Sequence, residues 1–242
     1  MIGLINISHS DPLSMTFSPE EIVRKSAADN YVDLKKGKTE IGMISLVTYI
    51  KNKDALNIVK TMNIHTRANS ISAILVSRFN YIKNNIKVNV TSLTKTSEFY
   101  MKLVLEKMGI SYEINESEYS DCEHLLENAD YALVIGDDAI KAYSGYANIL
   151  MDVGLEFSKL YGLEPVYAVS ATRSNIEISE TRIKDLNRHI KDSRNYIPEC
   201  VEKNYLKFHV KRELMEEYYR VMDYSFTDSV MKTIEFVESL MD

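Results

Sequence analysis

The segment from Tyr131 to Arg173 places the tightest limits on what this chain can fold into. It opens with an apolar run, Tyr131–Ile135, that stops at Gly136 and Asp137. An apolar run of this length ended by glycine and aspartate is typical of a buried strand whose carboxyl end leads into a helix N-terminus. In open α/β sheets, such strand ends line the crevice that binds a ligand. The segment therefore predicts an α/β fold with a ligand site at strand ends.

Length and composition allow either one large domain or two smaller lobes. The chain has 242 residues, and its 45% hydrophobic content is sufficient for a hydrophobic core. It carries 29 Lys and Arg against 35 Asp and Glu, a net charge of −6, with no long basic run. Nucleic-acid binding requires clustered positive charge to neutralise phosphates, so we expect no nucleic-acid partner.

The two cysteines and the amino terminus bear on the cellular compartment. Cys122 and Cys200 are far apart and have no Cys-x-x-Cys spacing, so two free thiols are expected rather than a zinc site or a disulfide framework. The residues Met1–Ile7 include no basic leader and no small-residue cleavage site, and no apolar run approaches membrane-spanning length. We therefore expect a cytoplasmic protein without membrane contact rather than an exported solute receptor.

Strand and helix signals alternate through the chain. Further strands are predicted at Ile2–Ile7, Ile41–Ser45, Ile71–Ser77, Lys87–Thr91 and Val166–Ala171. Helices are predicted at Ala27–Lys36, Thr96–Met108, Ser117–Asn128, Glu177–Lys191, Lys211–Met222 and Asp228–Met241. Ser18–Glu21 resembles a capping box, which leaves Ile22–Lys25 open between a helix and a short strand. The residues Ser8–Pro12 are typical of a polar turn.

Three motifs follow one another in the order seen in a known family. Ile135–Ala139 is similar to an I-G-D-x-A motif, and Asp152–Phe157 is similar to D-L-G-x-x-W with Phe in place of Trp. Tyr161–Ala168 is similar to T-G-L-P-x-V-x-A, with an acidic residue before the proline. On these motifs the chain resembles the menaquinone-biosynthesis family, in particular its chorismate dehydratase branch in the futalosine pathway. The resemblance implies an α/β, type II periplasmic-binding-protein-like fold with a ligand cleft between two lobes.

The resemblance also implies how the two lobes are divided along the chain. Lobe I is expected to combine residues 1–80 with residues 166–242 and to include a helical C-terminal tail. Lobe II is expected to be an inserted α/β lobe over residues 81–165. The polar segment Asn80–Asn85 is the expected crossing between them. The hydrophobic periodicity of the sequence is compatible with this topology but does not require it.

Hydroxyl residues at two predicted strand ends are candidate substrate-binding groups. Ser45 and Leu46 match the family's A-L-I-S-S turn, and Thr96 and Ser97 match its S-x-T-S segment. Free backbone N–H groups at a helix N-terminus, together with a hydroxyl, are suited to holding a carboxylate. The alternative at both places is an ordinary helix cap without a ligand.

Two further candidates, Ser72 and His9, come from alignment with the same family, and a third, Arg67, is a residue that the family pattern lacks. Ser72 matches the final serine of a D-G-P-V-x-S segment, and Arg67 precedes it in a loop that lacks the family's Gly and Pro. Arg67 could clamp a carboxylate with two hydrogen bonds, or be a solvated loop residue. His9 stands where chorismate dehydratases have an asparagine at the substrate. Its imidazole could donate to a carboxylate or act as a general acid or base; the alternative is a surface residue in a polar turn.

The glycine at position 136 separates two branches of the family. The dihydroxynaphthoate synthase branch carries a catalytic His at this strand end, in an I-H-E-G segment, so Gly136 favours the chorismate dehydratase branch. The resemblance then implies a carbon–oxygen lyase that dehydrates chorismate to 3-enolpyruvylbenzoate without a metal or cofactor. Its expected catalytic residues are His9 and Ser72, and its expected substrate-binding residues are Ser45, Leu46, Arg67, Thr96 and Ser97.

A second function class stays open at this point. A non-catalytic protein that binds or senses a small aromatic or dicarboxylate ligand would need the same fold and the same carboxylate-binding groups. The sequence leaves the oligomeric state open between a monomer and a homodimer.

Overall fold

A computed structural model describes residues 1–145 and 147–241. Residue 146, within the predicted lobe II, and residue 242, the end of the predicted lobe I, lie outside the described residues. The strands, numbered in chain order, are β1 (Ile2–Ile5), β2 (Ile22–Lys25), β3 (Ile41–Ser45), β4 (Leu56–Thr66), β5 (Ala73–Ser77), β6 (Ile86–Thr91), β7 (Tyr112–Ser117), β8 (Tyr131–Ile135), β9 (Asn148–Asp152), β10 (Val166–Arg173) and β11 (Met222–Asp223). The helices are α1 (Asp11–Ser14), α2 (Ala27–Lys35), α3 (Leu46–Ile50), α4 (Lys95–Lys107), α5 (Cys122–Leu125), α6 (Gly136–Ala142), α7 (Val153–Tyr161), α8 (Glu180–Ser193), α9 (Ile197–Phe208), α10 (Arg212–Val221) and α11 (Asp228–Ser239). Within the described ranges, no helix has both the length and the apolar character needed to cross a membrane.

The chain divides into two compact units that differ from the predicted lobes. Unit 1 consists of Met1–His65, Val166–Cys200 and the residues from Met222 onward, and unit 2 consists of Thr66–Pro165 and Val201–Val221. Residues 66–80, predicted in lobe I, belong to unit 2 because β5 is hydrogen-bonded between β8 and β9 there. The tail is also divided, since α10 belongs to unit 2.

The sheet of unit 1 brings the carboxyl ends of four strands to one edge. Its strand order is β11-β4-β10-β3-β1-β2. β1 is parallel to β2 and β3, and β10 is antiparallel to both β3 and β4, so β4 runs in the same direction as β1, β2 and β3. Every residue of β1 is buried, as expected for a strand inside a parallel sheet. Ala168 of β10 lies opposite Ser45 on one side and Ile64 on the other.

The sheet of unit 2 has the order β7-β6-β8-β5-β9. β6 is parallel to β7 and β8, while β5 is antiparallel to β8 and β9. The carboxyl ends of β6, β8 and β9 therefore lie at the same edge as the amino end of β5. At this edge Ala73 pairs with Ile135, and Ile74 pairs with Asp152.

Two local predictions are decided by the structure. Ile22–Lys25 is a strand, and the preceding capping-box pattern closes a turn instead of starting a helix. The Glu21 carboxylate accepts hydrogen bonds from the backbone N–H of Ser18 at 3.0 Å and from its hydroxyl at 3.1 Å.

The predicted helix over Ser117–Asn128 is wrong. Ser117 ends β7, which pairs with β6 along six residues, and helix α5 spans only Cys122–Leu125.

Gly3 packs closely against the side chain of a buried asparagine. A Cβ at this position would lie 2.7 Å from Oδ1 of Asn30 and 3.0 Å from its Cγ. Asn30 is fully buried, and its Nδ2 donates to the carbonyl oxygen of Met43 at 3.0 Å. We expect Gly3→Ala to lower the free energy of unfolding by about 1–3 kcal/mol, because overpacking displaces this bonded side chain. Urea denaturation followed by circular dichroism measures the change.

The neighbouring Gly42 provides the matched control. It pairs with Gly3 across the sheet, and the nearest atom to a Cβ there is the backbone oxygen of Asn30 at 3.3 Å. Gly42→Ala should therefore destabilise the protein less than Gly3→Ala. Equal losses from both variants would contradict the steric explanation.

Candidate functional site

His9 lies in a buried polar loop after β1, in a short 3-10 helix formed by Ser8–Ser10. Its residue exposure is 5%, and the Tyr224 hydroxyl donates a hydrogen bond to its carbonyl oxygen. The residues next to His9 are bonded as well: the guanidinium of Arg24 donates to the Ile7 carbonyl oxygen at 3.1 Å and pairs with the Asp11 carboxylate at 2.7 Å. The alternative that His9 is a surface residue is therefore wrong, because other segments of the fold bury the polar turn in which it lies.

Ser45 ends β3 and caps helix α3. Its Oγ accepts a hydrogen bond from the Thr48 backbone N–H at 3.1 Å and shares a 2.7 Å hydrogen bond with the Thr48 hydroxyl. Leu46, the first residue of α3, is fully buried. Ser45 is thus the N-cap of α3. A hydroxyl accepts two hydrogen bonds and donates one, so Ser45 can still donate to a ligand when Thr48 is the donor within the pair.

Sequence reasoning missed a polar cluster at the end of β4. His65 Nδ1 lies 2.7 Å from Oδ1 of Asn63, and Asn63 Nδ2 donates to the Tyr224 carbonyl oxygen at 3.0 Å. Both His65 and Asn63 are buried. Because Ser45 and Ile64 flank the same residue of β10, this cluster lies at the same edge as Ser45. We call His9, Ser45 and His65 the unit 1 edge.

Asp223 of β11 adds a negative charge near His65. Burial by itself would raise the pKa of Asp223, but hydrogen bonds from Ser225 and the positive charges of His65 and Arg194 outweigh burial and hold the pKa below its usual value. The Ser225 backbone N–H donates to the carboxylate at 2.8 Å. The carboxylate is therefore ionised at neutral pH.

The depressed pKa of Asp223 predicts a pH-dependent contribution to stability. A carboxylate of this kind stabilises the fold above the pKa of the unfolded chain and loses that effect as pH falls through its lower folded-state pKa. We expect Asp223→Asn to lower the free energy of unfolding by about 1–2 kcal/mol at neutral pH. The difference from wild type should shrink between about pH 5 and pH 3, as measured by urea unfolding. A difference that is constant over this range would contradict the assignment.

Thr96 and Ser97 lie in the first turn of α4, which follows β6 in unit 2. Both are buried, with exposures of 3% and 7%. The residue at the cap position is Thr94, whose hydroxyl donates to the Thr91 carbonyl oxygen at 2.8 Å and makes no cap hydrogen bond. Thr96 and Ser97 therefore lie inside the helix rather than at the cap position, so the capping alternative does not describe them.

Ser72 and Arg67 occupy different environments in the loop before β5. Ser72 is buried, and its carbonyl oxygen accepts a hydrogen bond from the Gly136 backbone N–H at 2.8 Å. Arg67 is exposed, and the Ser158 hydroxyl lies 3.5 Å from its carbonyl oxygen. We use the name unit 2 edge for the residues at the strand ends described above: Ser72, Thr96, Ser97, Gly136, Asp137, Asp138 and Asp152.

The carboxylates at this edge all have structural partners. Asp137 pairs with Lys207 at 3.2 Å. Asp138 accepts a hydrogen bond from the Ser120 hydroxyl at 2.7 Å and pairs with Lys141 at 2.7 Å. Asp152 accepts hydrogen bonds from three backbone N–H groups, those of Ser70, Ile71 and Leu155. Gly136 begins α6 with φ +59°, a backbone conformation that favours glycine.

No metal-binding cluster is found in the part of the chain that the structure describes. There, no group of three or more His, Cys, Asp or Glu residues is arranged to hold a metal ion. The two cysteines, Cys122 and Cys200, are both free and buried, and burial raises the pKa of the Cys122 thiol to about 11.

Two α/β units with these sheet orders define a protein of the periplasmic-binding-protein-like class, as predicted. Three solved structures share the fold. Protein AF1704 from Archaeoglobus fulgidus has a TM-score of 0.76 and 14% identity, over 99% of this chain and 96% of that chain. The periplasmic aliphatic sulphonate binding protein SsuA from Escherichia coli has a TM-score of 0.72 and 12% identity, over 99% and 85%. The Candida albicans CA3427 gene product, described as having the generic periplasmic binding protein fold, has a TM-score of 0.63 and 12% identity, over 99% and 88%.

The family itself is established by sequence. The menaquinone biosynthesis family matches residues 2–240, and the chain therefore belongs to that family. The predicted family resemblance is confirmed, and it supports a role in the menaquinone pathway.

Proposed function

We propose that this protein is a cytoplasmic chorismate dehydratase, which converts chorismate to 3-enolpyruvylbenzoate on the way to menaquinone. The observation that carries the proposal is the composition of the unit 2 edge. Its strand end at Gly136 has no side chain that could serve as a base, and its carboxylates, Asp137, Asp138 and Asp152, bond to other parts of unit 2. The buried candidates there are the hydroxyls of Ser72, Thr96 and Ser97, which suit a reaction whose base belongs to the substrate.

The proposed reaction is a redox-neutral loss of water. A ring proton leaves the carbon that carries the enolpyruvyl group, and the electron pair of that C–H bond forms the new ring double bond. The hydroxyl on the adjacent ring carbon leaves and is released as water. A carboxylate of the substrate accepts the proton, and aromatisation of the ring supplies the driving force. The protein then contributes orientation and hydrogen-bond donors for the carboxylates.

Each candidate residue has a role in this proposal. Thr96 and Ser97 donate to carboxylate oxygens, as do Ser45 and the backbone N–H of Leu46. Ser72 positions the enolpyruvyl group. His9 contacts the substrate at the reacting carbons, where a protonated imidazole can give a proton to the departing hydroxyl. The guanidinium of Arg67, which is exposed to solvent, can pair with a substrate carboxylate.

The experiment is turnover of chorismate by the purified protein, with the product identified by mass and by the absorbance of its aromatic ring. We expect His9→Ala to lower kcat/KM by roughly 100-fold or more, since general acid catalysis contributes about 10²–10⁴. His9→Asn, which restores the residue of the family pattern, should retain more activity than His9→Ala. The matched control is His124→Ala, because His124 lies on α5, is exposed, and pairs with the N-cap residue Asp121. No product at high enzyme concentration would remove the dehydratase assignment.

A second candidate function is binding without turnover. It is favoured by the fold shared with SsuA, whose name describes it as a sulphonate-binding protein. This function predicts an increase in Tm with benzoate or a dicarboxylate and no consumption of chorismate.

A further inference from the structure

The half-buried carboxylate of Asp152 bonds three segments of unit 2 together, namely β9, α7 and the loop before β5. Asp152 ends β9 and caps α7, where its Oδ1 accepts from the Leu155 backbone N–H at 2.9 Å. Its Oδ2 accepts from the backbone N–H groups of Ser70 at 2.9 Å and Ile71 at 2.6 Å. The Ser70 hydroxyl lies 3.2 Å from Oδ1. Burial raises the pKa of Asp152, while these hydrogen bonds act in the opposite direction.

Ile71 has a backbone conformation that its side chain disfavours. Its φ is +61°, in the left-handed region, where a β-branched residue is a genuine outlier. Such a conformation persists when its surroundings hold it in place, and it is found most often at functional sites. The loop from Arg67 to Ser72 includes no glycine that could take up this geometry at low cost. The hydrogen bond from the Ile71 N–H to Asp152, at 2.6 Å, is a direct backbone contact that holds the residue in this conformation.

The residue that follows this strained position is Ser72. Its carbonyl oxygen accepts from the Gly136 N–H at 2.8 Å, and the next residue, Ala73, donates its N–H to the Ser70 hydroxyl at 3.0 Å. The backbone around Ser72 is thus bonded on both sides. If Ile71 relaxed to a right-handed conformation, the direction of the Ser72 side chain would change.

We propose that Asp152 is a positioning residue for chorismate: by holding Ile71 in the left-handed conformation, it sets the direction of the Ser72 hydroxyl. This inference rests on the proposed function and extends it to a residue that does not itself contact the substrate. The competing explanation is that Asp152 acts only as the N-cap of α7.

The test uses Asp152→Asn with and without Ile71→Gly. Asparagine caps helices about as well as aspartate, so this variant keeps the bond to Leu155 and weakens the loop contacts. We expect Asp152→Asn to raise the KM for chorismate about tenfold with a smaller change in kcat, because Ser72 acts on substrate position. Ile71→Gly in the same background should recover most of this loss, since glycine adopts positive φ without strain. A KM that is unchanged in Asp152→Asn, or a loss that glycine fails to recover, would overturn the proposal.

A second measurement separates this inference from the proposed function. Amide hydrogen exchange at Ser70 and Ile71, without any ligand, should be at least tenfold faster in Asp152→Asn than in wild type. Asp121→Asn, which alters the cap of α5, should leave exchange in this loop unchanged. If the wild type neither binds nor converts chorismate, the proposed function fails, and exchange alone decides whether Asp152 holds the loop. Equal exchange rates in the two proteins would show that it does not.

Discussion

Replacing Thr96 with valine and Ser97 with alanine in one protein should raise the KM for chorismate by about 100-fold or more. Each hydroxyl is proposed to donate to a substrate carboxylate, and a hydrogen bond to a charged group contributes about 1.5–3 kcal/mol. Every 1.4 kcal/mol corresponds to a tenfold change in affinity, so the pair should exceed 100-fold. Valine has nearly the shape of threonine, and both positions are buried in the first turn of α4, which limits the change to the lost hydroxyls. Steady-state kinetics of the single and double variants measure the effect.

Thr94→Val is the matched control for this experiment. Thr94 immediately precedes α4, and its hydroxyl donates to the Thr91 carbonyl oxygen within the same loop. This substitution should lower Tm while leaving the KM within about threefold of wild type. A Thr96→Val, Ser97→Ala protein whose KM matches that of wild type would remove both residues from the substrate site.

Tyr224→Ala should lower the free energy of unfolding by about 3–5 kcal/mol, which is the usual range for removing a large buried ring. Tyr224 is 7% exposed and belongs to the hydrophobic core of unit 1. Its hydroxyl donates to the His9 carbonyl oxygen, and its own carbonyl oxygen accepts from the Asn63 backbone N–H at 3.0 Å. Burial raises the pKa of Tyr224, so the hydroxyl keeps its proton and donates at neutral pH. Urea denaturation measures the loss.

Two further variants divide this loss between packing and hydrogen bonding. Tyr224→Phe keeps the ring and removes the donor to His9, so it should cost about 1–2 kcal/mol. Tyr81→Ala removes an exposed tyrosine and should change the free energy of unfolding by about 0.5 kcal/mol or less. If Tyr224→Phe lowered the free energy of unfolding as much as Tyr224→Ala, the loss would come mainly from the hydrogen bond to the His9 carbonyl oxygen and not from packing in the core.

Two strands that sequence analysis found, β3 and β8, have a feature that the missed strands β4 and β7 lack. β3 is a short, largely apolar run that ends at a serine, and β8 is an apolar run followed by a glycine; both were predicted within a residue of their ends. β4, β7 and β9 were missed. β4 includes Asn57, Lys60 and Asn63, and β7 is nowhere fully buried. Their strand structure comes from pairing with neighbours that are distant in sequence, which local periodicity does not record.

Only part of the candidate site could be identified from the chain itself. Ser45, Thr96 and Ser97 were proposed because each lies where a predicted strand leads into a helix and matches a hydroxyl-bearing segment of the family. The cluster of His65, Asn63 and Tyr224 was not found. Tyr224 reaches His9 across 215 residues of sequence, and no local signal marks such a contact.

By itself, the sequence determined the order of strands and helices at the carboxyl ends of β3, β6 and β8, and the motifs that identify the family. The tertiary structure decided the rest of the candidate site and the division into units. It buried His9, assigned residues 66–80 to unit 2, and directed the Asp152 carboxylate to the strained backbone at Ile71. The physical reason is that apolar runs and helix starts are properties of neighbouring residues, whereas burial and hydrogen bonding depend on which distant segments the fold brings together.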